Sequence, residues 1–113
     1  MAELCPTPAW AQTVIDAHLA VAPASAVSHS EKLSSERYFV WEEDGANDLG
    51  GDDGHAEHAV TGATDLYSKL EFDPWAGEIG ESLSSHGISW SLVLCEHEED
   101  TGFYHWSWDW EVC

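Results

Sequence analysis

The sequence predicts one α+β domain over residues 1–113, in which two helices pack on one face of a mainly antiparallel four-stranded sheet in the order α-β-β-α-β-β. Three observations predict this architecture. The last quarter of the chain alternates large apolar and polar residues with a period of two. Two proline-led segments carry apolar residues at helical spacing. A chain of 113 residues is long enough for one hydrophobic core and too short for two.

The first helix is predicted to begin with Thr7 as its N-cap and Pro8 at its first position. Pro23 is predicted to end it. Between these points residues recur at helical spacing, namely Trp10, Val14, Ala17, His18 and Val21. A small, hydroxyl-rich loop at 24–35 is expected next, followed by a short strand of β-forming residues at 37–42.

An acidic, glycine-rich segment at about 43–57 is predicted to be a flexible surface loop, because it has almost no apolar residues to bury. The composition of residues 58–72 then favours a long strand. Within that strand, Gly62 indicates a bulge or the close approach of another backbone.

The second helix is predicted to begin at Asp73 and Pro74, which repeat the cap-then-proline signal, and to end at Gly87 as its C′ residue. One face is apolar, with Trp75, Ile79 and Leu83. A second face is made of small residues that allow close packing: Ala76, Gly77 and Gly80.

The two final strands are predicted to form a hairpin around a turn at 98–102, with tryptophans along its buried face. The apolar positions of the first strand are Ile88, Trp90, Leu92 and Leu94. Those of the second strand are Tyr104, Trp106, Trp108, Trp110 and Val112. We expect the two helices to cover these indoles and to leave the opposite face of the sheet free.

The net charge of −19 arises from 22 acidic residues against three Lys and Arg residues. Direct binding of nucleic acid is disfavoured, because neutralising phosphates requires a basic patch that this chain lacks. One origin of the charge is adaptation to high salt, where repulsion is screened within about 3 Å at 1 M. The other is a functional acidic surface, such as a wall past which DNA slides without sticking. The sequence leaves both open.

Cysteine usage and hydropathy indicate a protein made in the cytoplasm with no membrane partner. The three cysteines, Cys5, Cys95 and Cys113, are far apart and form no CxxC pair, so we expect reduced residues and neither a disulfide nor a zinc site. No secretory signal pattern opens the sequence, and no apolar run approaches ~20 residues.

Catalytic, cofactor and metal sites are not predicted. His55 and His58 follow Asp52 and Asp53, but no second ligand pair stands at a recognisable spacing, so solvated loop histidines are favoured over a metal site. The acidic run does not match a calcium-binding loop. The serines before His86 lack the Gly-x-Ser-x-Gly pattern of a nucleophile elbow.

An interface is the kind of site that the pattern favours. Trp41 is expected to be partly exposed at the edge of the acidic loop, as an aromatic anchor for a partner. His97 and His105 are expected to be cross-strand neighbours on the polar face of the terminal hairpin. With the acidic residues near them, the candidate interface residues are Trp41, Asp48, Asp52, Asp53, His97, His105 and Asp109.

Three stretches of the chain, taken together, resemble the tail terminator (tail-completion) proteins of long-tailed bacteriophages. They are residues 38–43 (YFVWEE), residues 61–74 (TGATDLYSKLEFDP), and residues 88–90 (ISW) leading to residues 98–112 (EEDTGFYHWSWDWEV). The resemblance implies an α+β subunit of a hexameric ring that caps the tail tube and joins it to the head connector. The extreme acidity departs from the family, since a closed ring crowds like charges together.

The resemblance also implies the partners of such a subunit. They are sister subunits, the tail tube protein, and a head–tail connector or stopper protein, with DNA passing through the ring without specific binding. Two other functions stay open: a head-completion or stopper protein of the same junction, and a small acidic binding module that mimics nucleic acid. An enzyme is the least favoured class.

Overall fold

The computed structural model describes residues 7–49 and 57–113. The elements in chain order are helix α1 (Ala9–Leu19), a one-turn 3₁₀ helix (Ala24–Ala26), strands β1 (Val27–His29), β2 (Arg37–Leu49) and β3 (Glu57–Ser68), helix α2 (Pro74–Ser85), and strands β4 (Ser89–His97) and β5 (Tyr104–Val112). The predicted α+β class with two helices is confirmed. In the part of the chain described, neither helix is long and apolar enough to cross a bilayer.

The sheet has five strands in the order β1-β2-β3-β5-β4, not the four that the sequence predicts. β1 is the addition, and it pairs in parallel with β2 so that Val27 lies beside Phe39 and His29 beside Trp41. The other three pairings are antiparallel. Three residues are too few to show a period of two, so this edge strand is specified by its pairing and not by its own pattern.

The β2–β3 hairpin is longer than predicted, and it uses much of the expected acidic loop. β2 continues past Glu42 as far as Leu49, which pairs with Glu57 at the start of β3. The prediction of a loop is therefore wrong at 43–49 and at Glu57, while 50–56 lie outside the described residues. Strand pairing is made by backbone groups, so acidic residues can continue a hairpin without apolar side chains to bury.

The core lies between the two helices and one face of the sheet, hereafter the helix face. Trp106, Trp108 and Trp110 are all buried there, as predicted. Gly62 lies opposite Trp110, and a Cβ at that position would stand 2.5 Å from the indole ring and 2.5 Å from the Glu42 carbonyl oxygen. The close backbone approach expected at Gly62 is confirmed.

Helix α1 is joined to the sheet by a buried hydrogen-bond chain. The Trp110 indole N–H donates to Thr64 Oγ1 (2.9 Å), and that hydroxyl lies 2.8 Å from His18 Nε2. His18 Nδ1 lies 2.7 Å from the Val14 carbonyl, so Nδ1 carries the proton and Nε2 accepts from Thr64. Burial lowers the pKa of His18 to about 4 and keeps its imidazole neutral.

The caps of the two helices differ in how well the sequence predicts them. The hydroxyl cap expected at Thr7 is wrong, because α1 has Pro8 as its N-cap with no side-chain hydrogen bond. The cap of α2 is confirmed, since the Asp73 carboxylate accepts from the Trp75 N–H at 2.9 Å. Gly87 follows α2 with φ of 77°, as expected of a C′ glycine.

Strand β4 does not keep its alternation. The register shifts between Leu92 and Leu94, so Leu92 pairs with Trp108 on the helix face, whereas Leu94 pairs with Ser107 on the other face. The predicted buried row from Ile88 to Leu94 is therefore wrong at Leu94, which lies on the other face, and also at Trp90 and Leu92, which lie on the helix face but are 38% and 50% exposed. A bulge inserts one residue into the strand, so each later side chain points to the opposite face of the sheet from the one expected. Cys95, beyond this bulge, and Cys113 are both free and exposed.

Candidate functional site

The sheet face turned away from the helices, hereafter the open face, carries several acidic residues that the strands position together. Side chains alternate along a strand, so the residues between the buried tryptophans of β5 point to this face. The register brings them beside residues of β3 and β4, and the set comprises Ser89, Ser91, Thr61, Ala63, Asp65, His105, Ser107, Asp109 and Glu111. Glu96 also belongs to it, as the pairing partner of His105.

All three Lys and Arg residues have specific contacts. The Arg37 guanidinium donates to the buried Asp73 carboxylate, with 2.7 Å between Nε and Oδ2. Lys69 Nζ donates to the Thr101 carbonyl. Lys32 Nζ lies 4.9 Å from the centre of the Tyr67 ring. The few cations of the chain therefore serve local packing, and acidic groups dominate the surface.

An aromatic row crosses the open face near the β4–β5 turn. The rings of Tyr38 and Tyr67 stack with centroids 5.3 Å apart, and those of Tyr67 and His105 with centroids 4.3 Å apart. Burial raises the pKa of Tyr67 to about 12, and the nearby charge of Asp65 acts in the same direction. The Tyr67 phenol thus stays neutral, and the row is a rigid, packed end to an otherwise polar face.

His105 is the residue around which the carboxylates of this face gather. Its Nε2 is 2.8 Å from Asp65 Oδ1. Its Nδ1 is 3.5 Å from Glu98 Oε2 and 3.8 Å from Glu96 Oε2. The imidazole is 13% exposed, whereas the side chain of Glu96 is 51% exposed. The cluster therefore has a fixed centre and an accessible rim.

The predicted pairing of His97 with His105 is wrong. The hairpin register pairs His97 with Tyr104 and Glu96 with His105. The Glu98 N–H donates to the Phe103 carbonyl and closes the turn. The register of the hairpin therefore differs by one residue from the predicted register. His97 is exposed and stacks on Tyr104 at 4.3 Å, on the side of the hairpin opposite His105.

The predicted exposure of Trp41 is also wrong, since its side chain is only 4% exposed. The His29 ring of β1 stacks on it at 4.2 Å, and the edge of Trp10 closes another side with centroids 6.5 Å apart. Because the sequence does not reveal β1, it does not reveal what covers Trp41.

The acidic candidates fall into three groups. Asp109 is exposed on the open face, opposite Ala63 and Ser91. Asp48 lies in β2, in register with His58. Asp52 and Asp53 lie outside the described residues.

Three residues of the site are not among the candidates predicted from the sequence: Asp65, Glu96 and Glu98. Asp65 is the most detectable, because it falls between the buried Thr64 and Leu66 and must face away from the core. The two glutamates come near His105 only through the register of the hairpin, which the sequence does not specify.

Comparison with known proteins bears on the fold. No family model matches this sequence, and neither does any curated protein. The structure is similar to a solved chain described as "Virion of native gene transfer agent (GTA) particle", with a TM-score of 0.55 and 11% sequence identity. The match covers 94% of this chain and 97% of that chain. At this identity the similarity shows a shared fold and nothing further.

Proposed function

We propose that this chain is a non-enzymatic virion structural protein of a tailed-phage-like particle, a tail terminator at the junction of tail and head. The observation that carries the proposal is the fold shared with a chain of a gene transfer agent virion over 94% of one chain and 97% of the other. Coverage of this extent means that the two chains share a fold along nearly their whole length and not only in one motif. On this proposal the protein is made in the host cytoplasm and resides in the tail or neck.

The outer edge of β4 supports a role in ring assembly. β4 pairs with β5 on one side and is the last strand of the sheet on the other. Its apolar side chains are exposed, with Trp90 at 38%, Leu92 at 50% and Val93 at 53%. A ring needs a head-to-tail contact between unlike surfaces of neighbouring subunits, and an apolar strand edge is suited to one half of such a contact.

The open face supports a role in DNA transit. Its carboxylates, including Asp65, Asp109 and Glu111, would repel the phosphate backbone if they lined the lumen of a ring. DNA would then pass without specific binding. In this arrangement a hexamer of the chain caps the tail tube protein and contacts the connector or stopper of the head. Like charges on neighbouring subunits make assembly dependent on salt.

The test is the oligomeric state, measured by light scattering and negative-stain microscopy in low and high salt, with and without tail tube protein. We expect rings with the bore of a tail tube, favoured by salt. Leu92→Asp should abolish them, because it places a charge in the apolar edge. Leu70→Asp is the matched control, since Leu70 is equally exposed (50%) but lies outside β4. A monomer under all conditions, tail tube protein included, would refute the proposal.

Two alternative functions predict different results in these assays. A head-completion or stopper protein would bind the connector and not the end of the tail tube. A nucleic-acid mimic is favoured by the regular spacing of acids on strands of the open face, since Asp109 and Glu111 alternate with buried tryptophans. Such a mimic would bind a basic protein tightly as a monomer.

A further inference from the structure

The two ring nitrogens of His105 face different surroundings. Nε2 contacts Asp65 Oδ1 at 2.8 Å. A carboxylate only accepts hydrogen bonds, so Nε2 carries a proton and donates it. Nδ1 instead faces Glu98 Oε2 at 3.5 Å and Glu96 Oε2 at 3.8 Å, distances too long for good N–H···O hydrogen bonds. In the neutral ring, Nδ1 carries a lone pair and lies near the carboxylates of Glu96 and Glu98, and a cation bound among these three groups would be attracted by all of them.

The spacing of these atoms suits a small divalent transition metal. Bonds of 2.0–2.2 Å in tetrahedral zinc sites place neighbouring ligand atoms about 3.4 Å apart. The separations of 3.5 Å and 3.8 Å from Nδ1 are close to that value, and one ligand atom from each of Glu96, Glu98 and His105 lies within 4.8 Å of the others. An imidazole ligand favours zinc-like ions over Mg²⁺ and Ca²⁺, which prefer oxygen alone.

Asp65 has the place that an orienting carboxylate takes beside a metal-binding histidine. Metal-bound histidines usually donate their second ring N–H to a carboxylate or carbonyl, which fixes the tautomer and the ring orientation. The Asp65 contact does this, and the stack of His105 on Tyr67 at 4.3 Å holds the ring plane. The nitrogen left to bind a metal is thus held beside the two glutamates by groups that would not themselves bind the ion.

We propose that His105 Nδ1, Glu96 and Glu98 bind one divalent transition ion of the Zn²⁺ class, with Asp65 as the positioning residue and solvent completing the coordination. The exposed rim at Glu96 gives the ion a path from solvent. The proposal does not depend on the assembly role, because it rests only on contacts within one subunit.

The experiment is a titration of the full-length chain with Zn²⁺ by calorimetry and with Co²⁺ by visible absorption. An excess of Mg²⁺ and high NaCl are present to suppress unspecific binding to a chain of charge −19. We expect one saturable ion per chain and a Co²⁺ spectrum typical of low coordination number. Histidine ¹⁵N spectra should show the resonance of His105 Nδ1 shifting when Zn²⁺ is added, with the Nε2 proton retained.

Four variants distinguish binding at the proposed site from binding elsewhere on the acidic surface. His105→Gln should abolish the specific binding, and Glu98→Gln should do the same while leaving the ring stack intact. Asp65→Asn should weaken binding by at least about tenfold, because an amide orients and polarises the imidazole less well. His97→Gln is the matched control, because His97 lies on the same hairpin but faces the other side, and it should bind as the unaltered chain does.

Two results would overturn the proposal. One is the absence of saturable binding above the Mg²⁺ background, with both ring nitrogens of His105 protonated in the ¹⁵N spectra, which would make the cluster an ion pair of the imidazolium with its carboxylates. The other is unchanged binding in both His105→Gln and Glu98→Gln, which would place the ion at another group of carboxylates.

Discussion

The Thr64 hydroxyl donates to His18 Nε2 across 2.8 Å and thereby joins the central strand β3 to helix α1. The same oxygen accepts from the Trp110 indole at 2.9 Å. These three side chains are buried, and each of their polar groups has a hydrogen-bond partner. Replacing the Thr64 hydroxyl leaves the Trp110 N–H and His18 Nε2 without a partner. One small side chain therefore connects the first helix, the middle of the sheet and the last strand.

Thr64→Val should destabilise the fold by about 2–4 kcal/mol, because the indole N–H and the imidazole nitrogen each lose a buried hydrogen bond worth about 1–3 kcal/mol. The shape of the side chain hardly changes, so packing contributes little. Urea unfolding followed by circular dichroism measures the difference.

The matched control for that change is Thr61→Val in the same strand. Thr61 Oγ1 donates to Asp44 Oδ1 at an exposed site, where water replaces the lost partner. Thr61→Val should lower the free energy of unfolding by less than about 1 kcal/mol. Equal losses in the two variants would show that the buried hydrogen bonds have no special weight.

Stability should fall as the pH is lowered from about 6.5 to about 4, because His18 is neutral in the folded protein. Its pKa is lowered from 6.5 to about 4 by burial, so within this window the unfolded chain binds a proton that the folded chain does not. Stability therefore rises with pH across the window, by about 3 kcal/mol for this group, and is complete above pH 6.5.

The measurement is the free energy of unfolding at several pH values for the unaltered chain and for His18→Gln. Subtracting the two removes the titration of the many carboxylates, which both chains share. The difference should shrink as the pH falls, since only the histidine chain loses stability through this group. A difference that stays constant from pH 7 to pH 4 would contradict the assignment of a neutral His18.

Asp73 is expected to tolerate asparagine better than alanine. Burial alone raises the pKa of this carboxyl, but hydrogen bonds from Arg37, from Ser68 and from the Trp75 N–H together lower it. Asn keeps an acceptor for the N-cap bond, whereas Ala removes both the cap and the partner of Arg37. The expected costs are about 3 kcal/mol for Asp73→Ala and clearly less for Asp73→Asn. Chemical denaturation of both variants ranks them, and equal losses would show that the lost charge outweighs the cap.

The sequence predicts the α+β class because its apolar residues repeat regularly in the segments whose side chains pack in the core. The buried indoles of β5 repeat every second residue, and the Asp73 cap precedes a helix whose apolar face is regular. The strand segments that the sequence does not predict are formed by backbone pairing alone. Strand β1 is too short for a pattern to show, and the added residues of β2 belong to the acidic segment and pair through their backbone; the covering of Trp41 by His29 depends on β1.

The candidate site is predictable only in part, for a related reason. His105 and Asp109 are recognisable as polar residues between tryptophans, and both lie on the open face. The partners of His105 follow from the register of the β4–β5 hairpin, which the turn at Glu98 and Phe103 sets. A shift of one residue changes every cross-strand neighbour, so composition and spacing cannot specify which residue pairs with His97.

Helix α2 contains two glycines whose substitution by alanine should change the stability of the protein in opposite directions. A Cβ at Gly77 would meet nothing within 4 Å, whereas a Cβ at Gly80 would lie 2.7 Å from the ring of Trp90. Gly77→Ala should therefore stabilise the protein by about 0.5–1 kcal/mol, through helix propensity and a less flexible unfolded chain.

Gly80→Ala should destabilise the protein despite the same gain in propensity. The added methyl group displaces the Trp90 ring, which now packs against the glycine and donates from its Nε1 to Ser84 Oγ at 2.8 Å. The indole moves further into water, and its fluorescence shifts to longer wavelength, a change that must vanish when the substitution is made in a Trp90→Phe background. If Gly80→Ala proved as stabilising as Gly77→Ala, with no spectral shift, then Trp90 would not be seated on α2, and the apolar edge of β4 would lose its support from the helix.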